Sequence, residues 1–353
     1  MTTDHETAAR LPLPAPVVPE RMTAVRQDRY DAVPETALRI AEVDRPAIGA
    51  DEVLVRVHAS SIDRGTWHLM AGLPYPVRAA GFGLRRPKDT NPGLNLSGVV
   101  ASVGADVTDL QPGDHVYGIG RSTFAEYARA RPDELARKPA GLSFPQAAAV
   151  PVSGLTALQA VRDRGQVQAG QRVLVLGASG GVGTFAVQLA AHLGAEVTGV
   201  CSGSKADVVR SLGAHHVIDH TREDALAGPQ RYDVVLDTGG NRPIGRLRRV
   251  LTPRGRLVII GGETGGRWLG GIDRQLRAHL LSPFVRQTLG TFISSENTQD
   301  LDALRELIEA SALTPVVDRA VPLDQVAAGI RHLIDGHARG KVVVTVAADT
   351  SSS

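Results

Sequence analysis

Cysteine is almost absent from this sequence, and aromatic residues and net charge are scarce as well. The single cysteine, Cys201, excludes an internal disulfide and a cysteine-rich zinc site, and it fits a reducing, cytoplasmic location. Aromatic residues make up 4% of the chain and the formal net charge is +2, so neither a stacking surface nor a basic patch for nucleic acid is indicated. No apolar run approaches the roughly 18 residues that a membrane span requires.

The remaining composition is that of a globular chain with two folded parts. At 353 residues the chain is long enough for two domains. Residues 1–21 are proline-rich and lack the apolar core of a signal peptide, which predicts a disordered tail, and residues 348–353 predict a frayed one. Short strands and glycine turns over 22–145 predict a barrel-like β domain. Strands and helices alternate over 146–295, which predicts a doubly wound parallel sheet and an α/β fold class.

The stretch from Arg172 to Lys205 contains a buried strand, a glycine-rich turn, a helix and a second strand. Such a turn lets the backbone approach a diphosphate, and the helix behind it presents free N–H groups and a partial positive charge. The spacing is similar to the dinucleotide-binding fingerprint, although a tight turn without a ligand is the alternative. The predicted cofactor contacts in this turn are Ala178, Ser179, Gly180, Gly181, Val182 and Gly183.

The loop after the second strand indicates which nicotinamide cofactor would bind. NAD-binding units usually have an acidic residue here that holds the ribose 2′-hydroxyl. This chain instead has Ser202, Ser204 and Lys205, which can bind a 2′-phosphate. A charge-assisted hydrogen bond from Lys205 would favour NADPH over NADH by roughly ten- to a hundredfold. A solvated loop lysine is the alternative.

Several motifs in a fixed order resemble the medium-chain dehydrogenase/reductase superfamily, and within it the zinc-independent quinone oxidoreductase group. Besides the glycine turn, the matching segments are 52–58, 98–104, 113–116, 152–157, 237–240, 251–255 and 340–343. The resemblance implies a GroES-like N-terminal domain, a Rossmann domain and a return of residues 296–347 to the first domain. It also implies an interdomain cleft for NADPH and substrate, and a homodimer formed through the sheet edge near 289–293.

The resemblance adds candidate cofactor contacts outside the glycine turn. Relatives have their nicotinamide near the helix that contains Ser153 and Thr156, and they often have a tyrosine on the 2′-phosphate at the position of His220. Helix capping and an ordinary surface histidine are the respective alternatives. The full set of these candidates is Ser153, Thr156, His220, Thr238, Gly261, Gly262, Ile293 and Asn297.

The positions of the zinc ligands in the alcohol dehydrogenases of this superfamily argue against a metal. Those enzymes have a cysteine where this chain has Asp63, and a His-Glu pair where it has Leu94-Asn95. The quinone reductase relatives usually have Asn at the position of Asp63. Because an ionised Asp only accepts hydrogen bonds, we expect Asp63 to bind a hydroxyl or amide donor, or to be neutralised by Arg64. A helix N-cap alone would also explain it.

These observations predict hydride transfer from NADPH to a small-molecule electron acceptor, either a quinone or the β-carbon of an enone. Neither acceptor needs a metal, because the developing oxyanion is already delocalised. The predicted catalytic residues are Asp63, Thr66 and Tyr75, with the proton supplied by water or by a hydroxyl of the latter two. The alternatives are an alcohol or carbonyl dehydrogenase of the same superfamily and a non-catalytic, NADPH-binding regulatory protein.

Overall fold

A computed structural model describes residues 19–240, 242–262 and 266–346 of the chain. The predicted tails at 1–21 and 348–353 lie outside the described residues, except for residues 19–21. Arg21 already belongs to the first strand rather than to a tail, because it pairs with Asp44 of the second strand.

The first part of the chain is rich in short strands, as predicted. Val53, Val55 and Val57 pack into one apolar cluster with Leu96 and Val116 of neighbouring strands, which is why this stretch forms the centre of a sheet. The elements in chain order are β1 (Arg21–Gln27), α1 (Pro34–Ala37), β2 (Leu38–Asp44), β3 (Val53–Ile62), α2 (Arg64–Ala71), β4 (Asn95–Val103), β5 (His115–Ile119), β6 (Tyr127–Ala130), β7 (Leu135–Arg137) and α3 (Phe144–Ala148).

The second part alternates strands and helices, as predicted. Val173, Leu174 and Val175 are fully buried, as expected of a strand covered on both faces. The elements are α4 (Pro151–Gln159), β8 (Arg172–Leu176), α5 (Gly181–His192), β9 (Glu196–Cys201), α6 (Ala206–Ser211), β10 (His216–Asp219), β11 (Tyr232–Asp237), α7 (Ile244–Arg249), β12 (Leu251–Ile259), α8 (Gly266–Leu269), α9 (Ile272–Leu281) and β13 (Thr288–Thr291).

The strands of this second part form one parallel sheet in the order β10-β9-β8-β11-β12-β13. Counted in chain order this is 3-2-1-4-5-6, the doubly wound order of the Rossmann fold. The connections reverse direction between β8 and β11, and ligands of such sheets bind at the carboxyl ends of the strands beside this point. The predicted α/β fold class is therefore confirmed.

The last described elements return to the first domain. They are α10 (Thr298–Glu309), β14 (Val317–Pro322), α11 (Val326–Ile334) and β15 (Lys341–Thr345). Strand β15 pairs antiparallel with β3, and β14 extends the same sheet, whose order is β14-β15-β3-β4-β5-β7. The last described strand thus lies next to the strand that precedes Asp63.

Helices α8 and α9 were not predicted from the sequence, and they lie between the last two strands of the parallel sheet. Leu276 and Leu280 of α9 are exposed, and β13 forms one edge of the sheet. The homodimer expected through this edge and the cytoplasmic location both remain predictions. Within the described residues, no helix combines the length and apolarity needed to cross a membrane.

One buried hydrogen bond connects the β domain to α10. The Tyr117 hydroxyl on β5 donates to the Leu301 carbonyl at 2.6 Å, and the Tyr117 side chain is fully buried. Burial raises the pKa of this phenol well above its ordinary value. Tyr117 therefore stays neutral and acts as a permanent donor from β5 to α10.

We expect the Tyr117→Phe variant to lower the free energy of unfolding by about 1–2 kcal/mol, because a buried hydrogen bond is lost and little volume changes. Urea unfolding followed by circular dichroism measures this change. Tyr127→Phe is the matched control, since Tyr127 is only half-buried on β6, and its effect should be smaller. Equal effects of the two substitutions would show that the bond to Leu301 contributes nothing specific.

Candidate active site

The glycine turn lies at the carboxyl end of β8, where the connections of the parallel sheet reverse. Gly177 has φ +78°, which only glycine adopts without strain. A Cβ on Gly183 would lie 2.1 Å from the Gly177 carbonyl oxygen, so the turn closes tightly only with glycine there. Helix α5 begins at Gly181, directly behind the turn. The turn therefore offers backbone N–H groups and the helix N-terminus to an anionic group such as a diphosphate.

A cleft of about 460 Å³ runs past this turn between the two parts of the chain. The backbone N–H of Gly340 donates to the Ser179 carbonyl at 2.8 Å, so the segment before β15 forms one wall of the cleft. The cleft brings together many of the predicted residues. Those that line it are Asp63, Ser153, Ser179, Gly180, Gly181, Val182, Lys205, His220 and Thr238.

Asp63 is held in the wall of this cleft by donors from three other segments. Its Oδ1 accepts hydrogen bonds from the Ser153 hydroxyl at 3.1 Å and from the Lys341 ammonium, and its Oδ2 accepts one from the Asn95 amide. The side-chain oxygen Oδ1 of Asn95 in turn accepts the Val152 N–H at 2.9 Å. The carboxylate is therefore fixed in position by a hydrogen-bonded network that spans most of the chain's length.

Lys341 is the functional residue that sequence reasoning missed, although the segment 340–343 was among the matching motifs. Its ammonium pairs with Asp63 and lies 3.3 Å from the Ser153 hydroxyl oxygen. The Lys341 side chain is 1% exposed and that of Asp63 is 14% exposed, and both residues line the cleft. The sequence analysis expected either a hydroxyl or amide donor on Asp63 or its neutralisation by Arg64. In the structure Asp63 accepts from a hydroxyl, that of Ser153, and from the Asn95 amide, and it also pairs with the Lys341 ammonium, which was not predicted.

The other end of the cleft contains the residues predicted to bind the 2′-phosphate. The Lys205 ammonium donates to the carbonyls of Gly336 and Ala338, both at 2.7 Å, and burial lowers its pKa. His220 lies beside it on the same wall. Asp219 is a nearby acidic group that the sequence analysis overlooked, and its carboxylate accepts from the N–H and hydroxyl of Thr221 at 3.0 and 2.7 Å. Ser202 and Ser204 lie at the start of the same loop.

Thr66 and Tyr75 lie outside this cleft but close to it. The Thr66 hydroxyl accepts the backbone N–H of Asp63 at 3.3 Å and lines a second cavity. Tyr75 belongs to the long loop over residues 73–93. Its N–H donates to the Arg267 carbonyl at 2.8 Å, and its ring meets the Trp268 ring edge-on at 5.1 Å. This loop therefore connects the first domain to α8 of the second.

The remaining predicted residues are not cleft-lining in the structure. The Thr156 hydroxyl donates to the Val152 carbonyl at 2.7 Å, Asn297 caps α10 by accepting the Asp300 N–H at 2.8 Å, and Ile293 is 95% exposed. Ala178 is fully buried beneath the turn.

Gly261 and Gly262 follow β12. A Cβ on Gly261 would lie 2.2 Å from the Thr238 carbonyl oxygen and would collide with it. Their contacts with a cofactor stay predictions.

A buried ion pair supports the loops beside the reversal point. Arg274 of α9 donates to the Asp237 carboxylate at 2.7 Å and to the Gly261 carbonyl at 3.2 Å. Burial raises the pKa of Asp237, and the guanidinium of Arg274 opposes that rise. This pair joins the end of β11 to α9, so it fixes the loop that contains Thr238.

The described part of the chain holds no group of three or more His, Cys, Asp or Glu side chains that could bind a metal ion.

Comparison with known proteins matches both parts of the chain. Residues 49–140 match the alcohol dehydrogenase GroES-like domain, and residues 212–344 match the zinc-binding dehydrogenase family. A mitochondrial NAD(P)H oxidoreductase of Mus musculus is 32% identical, covering 84% of this chain and 82% of its own. An NADPH-dependent alkenal/one oxidoreductase of Arabidopsis thaliana chloroplasts is also 32% identical, covering 93% of this chain and 80% of its own.

A solved structure matches over nearly the whole chain. The quinone oxidoreductase from Coxiella burnetii superposes with a TM-score of 0.79 at 28% identity, covering 93% of this chain and all of that one. The fold of both domains, over nearly the whole chain, is thus shared with a known oxidoreductase. The chain belongs to the medium-chain dehydrogenase/reductase superfamily, in its quinone oxidoreductase-like group.

Proposed function

We propose that this protein is a zinc-independent reductase that uses NADPH to reduce a quinone or an activated enone. The observation that carries the proposal is that one and the same cleft is lined by the glycine turn and by the hydrogen-bonded network around Asp63. The wall with the glycine turn is suited to a dinucleotide. The opposite wall presents the fixed polar groups of the Asp63 network to a cofactor bound in the cleft. Relatives named for NADPH and for alkenal/one or quinone substrates support the same assignment.

The residues of the cleft fit a bound NADPH, which would supply the hydride. The Gly180 N–H already donates to the Gly177 carbonyl at 3.0 Å, so the backbone N–H groups at Gly181 and Val182 would hold the diphosphate at the N-terminus of α5. Lys205 and His220 would bind the 2′-phosphate end, and the carbonyls of Gly336 and Ala338 already hold the Lys205 ammonium at that end. Ser153 and Asp63 would contact the nicotinamide end.

Zinc independence is supported by the side chains at the positions where zinc-dependent relatives have their metal ligands. The Asp63 carboxylate already accepts hydrogen bonds from Lys341, Ser153 and Asn95. Leu94 has no atom that can ligate a metal. A quinone or enone does not require a Lewis acid, because its developing negative charge is delocalised over the acceptor, and hydrogen-bond donors in a dry cleft suffice.

The second cavity supports an acceptor with an apolar ring or chain. Its wall combines Leu69, Met70, Phe82 and Leu94 with the Thr66 hydroxyl. Because Thr66 accepts the Asp63 N–H, its own hydroxyl proton is free to be donated towards the cavity. We propose Thr66 as the hydroxyl that passes a proton to the reduced acceptor. Tyr75 is the weaker candidate, because its ring packs on Trp268 near the protein surface.

The test is NADPH oxidation, followed by absorbance, with a simple 1,4-quinone and with an aliphatic enone, alongside a zinc assay of the same sample. We expect turnover with NADPH, much less with NADH, and no stoichiometric zinc. Stoichiometric zinc together with alcohol oxidation would instead favour the alcohol or carbonyl dehydrogenase. Tight NADPH binding without turnover on any acceptor would favour the regulatory protein.

A substitution at Lys205 tests the cofactor preference. The Lys205→Met variant should raise the dissociation constant for NADPH by roughly tenfold and leave that for NADH nearly unchanged, because only NADPH carries the 2′-phosphate. Fluorescence titration measures both constants. Arg210→Met is the matched control, since Arg210 pairs with Asp207 on α6 outside the cleft. An equal increase in the dissociation constants for NADPH and NADH would mean that Lys205 only joins the two domains.

A pair of substitutions tests the proton donor. Thr66→Val keeps the shape of the side chain and removes its hydroxyl, so we expect kcat to fall by about tenfold or more with little change in the KM for NADPH. Tyr75→Phe, measured in parallel, should lower kcat by less. Steady-state kinetics with a quinone and with an enone provide the comparison. If Tyr75→Phe has the larger effect on kcat, Thr66 is not the donor.

A further inference from the structure

The ion pair between Asp63 and Lys341 combines burial with a position beside the cofactor cleft. Both residues line the cleft, and the Lys341 side chain crosses the start of α5, where a Cβ on Gly181 would lie 3.0 Å from Lys341 Cδ. The carboxylate and ammonium belong to segments 278 positions apart in sequence. Such a pair is costly to bury, so its retention here calls for a role.

The direction of a bound dinucleotide follows from the two ends of the cleft. Lys205 and His220 lie at the carboxyl ends of β9 and β10, where the proposed function locates the 2′-phosphate. With the diphosphate at the N-terminus of α5, the other half of the cofactor extends past Gly181 towards Asp63 and Ser153. The ion pair therefore lies, together with Arg64, among the charged groups of the cleft on the side of the nicotinamide half.

The two redox forms of the cofactor differ in charge at that half. The nicotinamide ring is neutral in NADPH and carries one positive charge in NADP+, whereas the phosphate groups are the same in both. The ratio of their dissociation constants therefore reports the electrostatic potential at the ring. Asp63 alone would attract the oxidised ring, and the adjacent Lys341 ammonium opposes that attraction.

We propose that Lys341 is a positioning residue that neutralises Asp63 and so prevents the cleft from favouring the oxidised cofactor. This inference rests on the proposed function. Asp63 can then accept a hydrogen bond from the cofactor without adding a net negative charge beside the ring. Because a reductase must release NADP+ after each turnover, a balanced pair favours release of the product and limits product inhibition.

The test measures Kd for NADP+ divided by Kd for NADPH, by calorimetry and fluorescence titration of the purified protein at neutral pH. Lys341→Met leaves the carboxylate unbalanced, so we expect the ratio to fall by about threefold to tenfold. Asp63→Asn leaves the ammonium unbalanced, so the ratio should rise by about the same factor. The double variant Asp63→Asn/Lys341→Met carries neither charge and should return close to the wild-type ratio.

Two control variants separate charge from structure. Lys341→Arg keeps the positive charge and should leave the ratio close to the wild-type value. Asp114→Asn removes a carboxylate that pairs with Arg137 at 2.9 Å near β5, outside the cleft, and should also leave the ratio unchanged. The remaining charges at the cleft, those of Arg64, Lys205 and His220, are common to all variants and cancel in the comparison.

Opposite shifts for Lys341→Met and Asp63→Asn support the inference, because a loss of packing would weaken both redox forms alike. Shifts in the same direction, or no shift in either variant, overturn it. If Lys341→Met does not fold, Asp63→Asn is compared with the double variant instead. The inference then requires a higher ratio of Kd for NADP+ to Kd for NADPH in Asp63→Asn than in the double variant. A wild-type protein that binds neither cofactor refutes the proposed function, whereas binding of both with an insensitive ratio refutes only this inference.

Discussion

The structure depends on a buried contact between opposite charges that come from distant parts of the chain. Asp63 follows β3 and Lys341 begins β15, and these two strands pair side by side in the sheet of the first domain. The backbone pairing brings the two side chains together, and their charges in turn make the arrangement costly to disrupt. Removing one partner of a buried pair is more harmful than replacing both, because a lone buried charge remains. Ser153 and Asn95 donate to the same carboxylate.

The return of the chain to the first domain gives the cleft its second wall. The parallel sheet by itself provides the glycine turn and the helix N-terminus, which form only one side of a binding site. The Gly340 N–H on the Ser179 carbonyl and the Lys205 ammonium on the Gly336 and Ala338 carbonyls join the second side to it. On the side of the returning segment these contacts use only backbone groups, the Gly340 N–H and the carbonyls of Gly336 and Ala338, so on that side they depend on the path of the chain rather than on particular side chains.

Much of the fold was predictable from local sequence patterns. The strand over Tyr232–Asp237 and the helix over Thr298–Glu309 follow from apolar runs and periodicity, and the glycine turn follows from its spacing. Helix α9 was not predicted, although Leu276 and Leu280 lie four residues apart as on one helix face; both leucines are exposed in the structure. Lys341 was missed because a lysine that begins a strand normally points to solvent, and only the pairing of β15 with β3 reveals its partner.

The position of Lys341 also has a consequence for the synthesis of the protein. A chain that grows from its N-terminus forms β3 and Asp63 early, and domains generally fold as they emerge. The counter-charge arrives only with β15, after the whole parallel sheet has been made. Until then the carboxylate lacks its counter-charge, and only the donors from Asn95 and Ser153 are available to it. The site therefore assembles last, and a polypeptide that stops short of β15 contains every glycine of the turn but no finished cleft.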